Sequence, residues 1–137
     1  MPKIDSADIP HKMLSLDPFS QWLGIEILEV KIGYCRLGLT VRKDMLNSMQ
    51  KAHGGIAYAL ADTAFGFAAN THGRFSVSIE TSINHIEALH ENDYVIAETQ
   101  IDLTKNKLGF SYVNLTCEEK IVAIFKGVVY RTSKEWK

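Results

Sequence analysis

Cysteine is scarce in this chain: Cys35 and Cys117 are the only two, far apart in sequence. No Cys-x-x-Cys and no clustered Cys/His spacing is present, which excludes zinc-finger and thioredoxin-type sites. Two reduced thiols in a cytosolic protein is the simpler reading. Net charge is nearly absent as well, because 15 Lys+Arg stand against 16 Asp+Glu. No global positive field exists to hold nucleic acid or an anionic membrane, although a local basic patch could still hold a small anion. Long apolar runs are missing. Residues Met1 to Asp8 contain no apolar signal core, and the weakly polar run Gly54–Ala69 carries Asp62 near its middle. That run is too short for a comfortable membrane span. The chain also lacks repeats, low-complexity stretches, linkers, and GxSxG, P-loop and GxGxxG motifs. These absences point to one cytoplasmic domain over residues 1–137 that binds neither nucleic acid nor membrane.

The composition present is that of a soluble globular protein, 46% hydrophobic and 23% charged. A chain of this size buries roughly 68% of its unfolded surface, enough for a core without staples. Residues 1–16 read as a polar, irregular segment with Pro2 and Pro10. A short helix follows, with Asp17 as N-cap, Pro18 at the first helical position and Gly24 at the end. Phe19, Trp22 and Leu23 can face one side of it, as a lid or plug over a core edge. From Ile25 to Val41 apolar residues alternate as in strands, with Gly33 at the expected hairpin turn. Arg42–Ala52 reads as a loop.

Gly54–Asn70 is rich in Ala, free of Pro and apolar on every face, the signature of a buried helix. Asn70-Thr71-His72-Gly73 closes it with C-cap chemistry. Four strands then follow, at about Ser76–Glu87, Tyr94–Asp102, Lys107–Cys117 and Ile121–Arg131. Thr104-Lys105-Asn106 and Glu118-Glu119-Lys120 supply hairpin turns, and His90–Asp93 a loop. The order predicts an α+β fold, one long buried helix wrapped by a curved antiparallel sheet of five to six strands. A single sheet layer leaves edges and one face open, so association with a second copy is expected.

Two features carry chemistry. Asp62 is the one charged residue in Gly54–Gly73, and a carboxylate on a buried apolar helix is costly unless something pairs with it or uses it. His53-Gly54-Gly55 opens the same helix. Glycines there let a ligand approach the backbone, and free N–H groups at a helix start stabilise an oxyanion. A tight turn into the helix accounts for the glycines equally well. Gly54 and Asp62 are eight residues apart, about 12 Å along a helix. One carbonyl carbon does not reach both within one chain, so joint action requires two copies paired across a two-fold axis.

Other constellations are weaker. His85-Ile86-Glu87 opens like a zinc deaminase motif, but no Pro-Cys-x-x-Cys follows, and a metal site from His85, Glu87 and His90 is not favoured. Phe65 and Phe67 read as core. Lys105, Lys107 and Lys120 near hairpin turns read as solvated edge protection, with phosphate contact as the alternative.

The stretch Met45-Leu46-Asn47, His53-Gly54-Gly55 and Leu60-Ala61-Asp62-Thr63-Ala64-Phe65 resembles the PaaI group of hotdog-fold acyl-CoA thioesterases. Element order from about Phe19 to Arg131 fits that family too. The resemblance implies a hotdog fold and a homodimer sharing a continuous sheet, assembled as a dimer of dimers. It also implies hydrolysis of an acyl-CoA to acid and CoA, with aryl- or phenylacetyl-type acyl groups among the candidates, and no metal or cofactor. Carried over, Asp62 is the general base for water or the nucleophile, and Gly54, with Gly55, gives the oxyanion site. Asn47 and His53 hold the loop and the thioester or water. Thr63 and Ser78 join Gly55 as substrate-binding positions. The sequence departs from the family after Ile83, where many relatives read aromatic-Leu-x-Pro and this chain reads Asn84-His85-Ile86-Glu87-Ala88. Competing readings are a hotdog hydratase or dehydratase, disfavoured because Gly follows His53, and a non-catalytic acyl-CoA or acyl-carrier binder, which would be expected to lose Asp62 or the glycines.

Overall fold

The computed structural model describes residues 3–137. Two short helices, α1 (Ile9–Ser15) and α2 (Pro18–Leu23), lead into the hairpin β1 (Glu26–Lys31) and β2 (Tyr34–Thr40). The long helix α3 (Gly54–Asn70) follows, and then β3 (Arg74–His85), β4 (Tyr94–Lys105), β5 (Leu108–Cys117) and β6 (Lys120–Glu135). The six strands form one sheet in the order β1-β2-β4-β5-β6-β3, with every neighbouring pair antiparallel. Strands β1 and β3 are its edges.

Alternation explains how the sheet holds α3. Along β5, Gly109, Ser111, Val113 and Leu115 point inward, whereas Leu108, Phe110 and Tyr112 point away. The inward rows meet α3 residues Leu60, Ala64, Phe65 and Ala68, all fully buried. Each large apolar side chain buried this way contributes about 2 kcal/mol. The alanines let the helix lie close to the strands. Phe65 packs on Phe125 with ring centroids 5.5 Å apart. Gly127 lies directly beneath it, where a β-carbon would come within 2.7 Å of the Phe65 ring.

Several details differ from the sequence expectation. The N-terminal segment read as irregular over 1–16 contains a 3-10 turn, Ser6–Asp8, and helix α1. Ile9 is buried, and Met13 and Leu14 pack on the core. Helix α2 begins at an Asp17 cap, whose carboxylate accepts from Ser20 N at 3.0 Å, and ends at Gly24 with φ 76°. Of its apolar side chains it buries Leu23 alone, however. Phe19 and Trp22 are 57% and 54% exposed and stack on each other, so they do not plug the core. Strand β6 runs four residues beyond Arg131 to Glu135.

Candidate active site

Helix α3 is not covered on every face. Gly54, Gly55 and Tyr58 are exposed, and Asp62 and Gly66 are partly so. Their spacing of about four residues draws one open stripe along the helix. Tyr58 is tied down by a 2.6 Å hydrogen bond between its hydroxyl and that of Thr81 on β3.

At the helix start, His53 is the N-cap. Its Nδ1 accepts from Gly55 N at 2.9 Å, and its own backbone N–H donates to the Met45 carbonyl at 2.8 Å. This cap fixes the imidazole, because an Nδ1 that accepts carries no proton and the neutral ring then presents Nε2–H as a donor. It also divides the two glycine N–H groups. That of Gly55 is consumed by the cap, and that of Gly54 has no acceptor among the described residues. An unpaired N–H at the first position of a 17-residue helix adds the helix dipole to its own.

Asn47 organises the approach. Its Oδ1 accepts from Met49 N at 2.9 Å and Lys51 N at 3.2 Å, closing the loop ahead of His53. Its amide nitrogen is without a partner among the described residues. Asn47, His53 and Gly54 line a cavity of about 330 Å³ together with Lys51, Ala57 and the stretch His85–Leu89. Here the sequence reading missed a neighbour. The His85 imidazole turns toward α3, and a β-carbon at Gly54 would lie 3.4 Å from His85 Nε2. The signal available was alternation, since Thr81, Ile83 and His85 share the inward row of β3. His90 looks elsewhere, with its Nδ1 3.7 Å from the Asp93 carboxylate.

Asp62 stands two turns along the open stripe and does not line this cavity. No hydrogen bond or ion pair reaches its carboxylate among the described residues. Burial pushes its pKa above the ordinary carboxylate value, with no opposing charge to bring it down. Thr63 spends its hydroxyl proton on the Ala59 carbonyl at 2.7 Å, which leaves only lone pairs for any other partner. Ser78 is exposed on β3. Within one chain, then, Asn47, His53 and Gly54 come together, and Asp62, Thr63 and Ser78 do not join them.

The model of the thioesterase superfamily matches residues 49–124, which include the glycine turn, Asp62 and most of the sheet. The chain belongs to that superfamily. It is 31% identical to the acyl-coenzyme A thioesterase PaaI of Escherichia coli over 122 residues, 88% of this chain and 87% of that one. The structure of Escherichia coli PaaI, from the phenylacetic acid degradation operon, matches with a TM-score of 0.93 at 28% identity, covering 97% of both chains. A mutant of the phenylacetic acid degradation protein PaaI from Thermus thermophilus matches at 33% identity with a TM-score of 0.81, covering 85% of this chain and all of that one. The sausage-in-bun arrangement of α3 and the six strands is thus the hotdog fold, in its PaaI-like form. No helix among the described residues is long and apolar enough to cross a membrane.

Proposed function

We propose that this protein hydrolyses an acyl-CoA thioester to a carboxylic acid and CoA, at a site shared between two copies of the chain. The observation that carries the reading is the pair of unsatisfied groups on the open stripe of α3, the Gly54 N–H and the Asp62 carboxylate. A thioester carbonyl is already electrophilic and its thiolate leaves readily, so an activated water and an oxyanion site are sufficient. Asp62 takes a proton from water as the water oxygen bonds to the carbonyl carbon. The charge that develops on the carbonyl oxygen falls on Gly54 N–H. The C–S bond then breaks, and the thiolate recovers the proton from Asp62. Asn47 and the Nε2–H of His53 hold the thioester, and Gly55 serves through its tie to His53. Ser78 and Thr63 would flank the acid in the assembled site.

The partner copy joins along β3. Among the described residues that strand pairs only with β6, and it leaves Val77 and Ile79 more than half exposed on a free edge. Antiparallel pairing of two such edges continues the sheet and brings each Asp62 toward the other chain's glycine turn. The apolar outer face, with Leu103, Phe110 and Tyr112 exposed, is suited to a dimer of dimers. Hydration chemistry is disfavoured because His53 Nδ1 is taken up by the cap. The test is release of free CoA, read with a thiol reagent, from a panel of straight-chain, enoyl, aryl and phenylacetyl CoA thioesters. Release of CoA with equimolar acid supports hydrolysis. Loss of an enoyl chromophore without thiol release would support hydration, and tight binding with no reaction would support a binding protein.

A further inference from the structure

We propose that His85 is a second donor to the thioester oxygen, standing beside the Gly54 N–H. The inference rests on the hydrolase reading above and assigns one more catalytic residue to that site.

The residues on β3 place the imidazole there. Thr81, Ile83 and His85 form the strand's inward row, and the Tyr58–Thr81 hydrogen bond sets how that row lies along α3. Four residues farther toward the helix start, His85 faces Gly54 in the same way. Its backbone is pinned by pairing with Ala123, and the next two N–H groups, of Ile86 and Glu87, both donate to the Val122 carbonyl, at 2.8 and 3.2 Å. The ring lies beside the glycine: Nε2 and Cε1 are 3.4 and 3.5 Å from the position a Gly54 β-carbon would take. Neither ring nitrogen has a hydrogen-bond partner among the described residues. The cavity they face contains the one backbone N–H of the turn that is also unpaired.

Two unsatisfied groups converging on one cavity wall define a position for a single acceptor. An oxygen hydrogen-bonded to Gly54 N at about 2.9 Å would sit in the cavity that His85 also lines. A neutral imidazole with the proton on Nε2 can donate to it, and so can a protonated one. The backbone of the turn offers no second donor, because Gly55 N–H is spent on His53. Oxyanion sites with one donor are weak, and a second donor aimed at the developing charge lowers the barrier without tightening the ground state.

The experiment measures kcat and KM for the full chain and for His85→Phe and His85→Gln, on one straight-chain and one aryl acyl-CoA. His85→Leu serves as a second donorless variant should Phe perturb the fold, with Tm checked for all. The expected result is a kcat about 10- to 100-fold lower for Phe and Leu on both substrates, with KM changed by less than about threefold. Gln, which keeps an N–H donor, recovers most of the loss. Affinity for CoA itself, which has no carbonyl at that point, stays as in the parent. Unchanged rates, a loss confined to one acyl class, or Gln as slow as Phe would each overturn the proposal. The middle outcome would make His85 an acyl-chain contact instead. If the parent releases no CoA from any thioester, the hydrolase reading itself falls and His85 loses its role with it. If the parent is active and only the His85 variants disagree, the hydrolase reading stands.

Discussion

The two ends of α3 are built on opposite plans. At its C-terminal end every polar side chain named here has a partner. Asn70 is buried and makes four hydrogen bonds: its amide donates to the Gly66 and Ser76 carbonyls, and its oxygen accepts from Ser76 N and the Trp136 indole. Thr71 donates to Ala68 O at 2.6 Å and accepts from Gly33 N at 2.7 Å. Asp102, nearly buried, is held by His72 at 2.6 Å and by the Ser111 hydroxyl at 3.0 Å. In that cluster an acid, an imidazole and a hydroxyl meet, but the acid lies in the middle. Its lone pairs bind both neighbours, and no nucleophile is prepared. The N-terminal end leaves Gly54 N–H, His85 and, two turns on, Asp62 without partners among the described residues. The contrast shows how to separate structure from chemistry in one helix. Satisfied buried groups hold the fold together, and unsatisfied ones at an opening await a ligand.

Substitutions that exchange the two behaviours would undo this contrast. The heaviest loss is expected from Asp62→Asn, which keeps the side chain's shape and removes its basicity. Turnover should fall about 1,000-fold, with CoA affinity and the folded state retained, as stopped assays and titration of CoA will check. Near-normal kcat would remove Asp62 from the chemistry. At the other end, Asn70→Ala orphans the partners of four hydrogen bonds and should cost about 3 kcal/mol, or roughly 10 °C in Tm. The rate per folded molecule should be unchanged. A variant of normal stability with lost turnover would reverse the assignment of the two ends.

A smaller effect returns to Asp62 and concerns stability. Its carboxyl pKa is raised in the folded protein by burial, so the folded state holds the proton more tightly than the unfolded chain does. That stabilisation is present at acid pH and is lost as pH rises through the folded value. Near neutrality the ionised side chain is a burden that Asn does not carry. Asp62→Asn should therefore be at least as stable as the parent near neutrality, with the advantage shrinking as pH falls through the carboxylate range. Melting curves across that range will show it. A constant difference would mean that the Asp62 pKa is not raised in the assembled protein, and one of the opposite slope that Asp62 is paired there.

Much of this was legible in the sequence because local chemistry and tertiary environment agree there. Asp17-Pro18 and Gly24 bound α2 where capping rules place them. Glu118 and Glu119 take up the positive φ of a two-residue hairpin at 50° and 67°. Alternation marked the strands, and the alanine-rich run with its single acid marked α3. What stayed hidden depends on contacts across the chain. Helix α1 owes its stability to Ile9, Met13 and Leu14 on the core, although its local sequence, with Pro10 and polar neighbours, reads as irregular. The extension of β6 is secured by pairing of Glu135 with Arg74 and by Trp136, which stacks on Phe75 at 4.1 Å and donates to Asn70. At the site, His-Gly-Gly and Asp62 were visible as motifs. Two facts were not: Gly55 gives its N–H to His53, and His85, 31 positions after Gly54 in sequence, faces that glycine.

Whether Gly54 of one chain works with Asp62 of another can be read from mixed assemblies. Gly54→Pro removes the N–H and sets a ring in the cavity beside His85. His53 already has φ −58° and ψ 138°, which a following proline accepts, and proline suits the first helical position. Asp62→Ala removes the acid. Each variant should be nearly inactive by itself. After subunit exchange, verified with labelled chains, about half the dimers are mixed, and each of these has one site with both defects and one with neither. Activity should return to about a quarter of the parent value. If exchange is demonstrated and no activity returns, the two residues do not share a site and the composite arrangement is wrong.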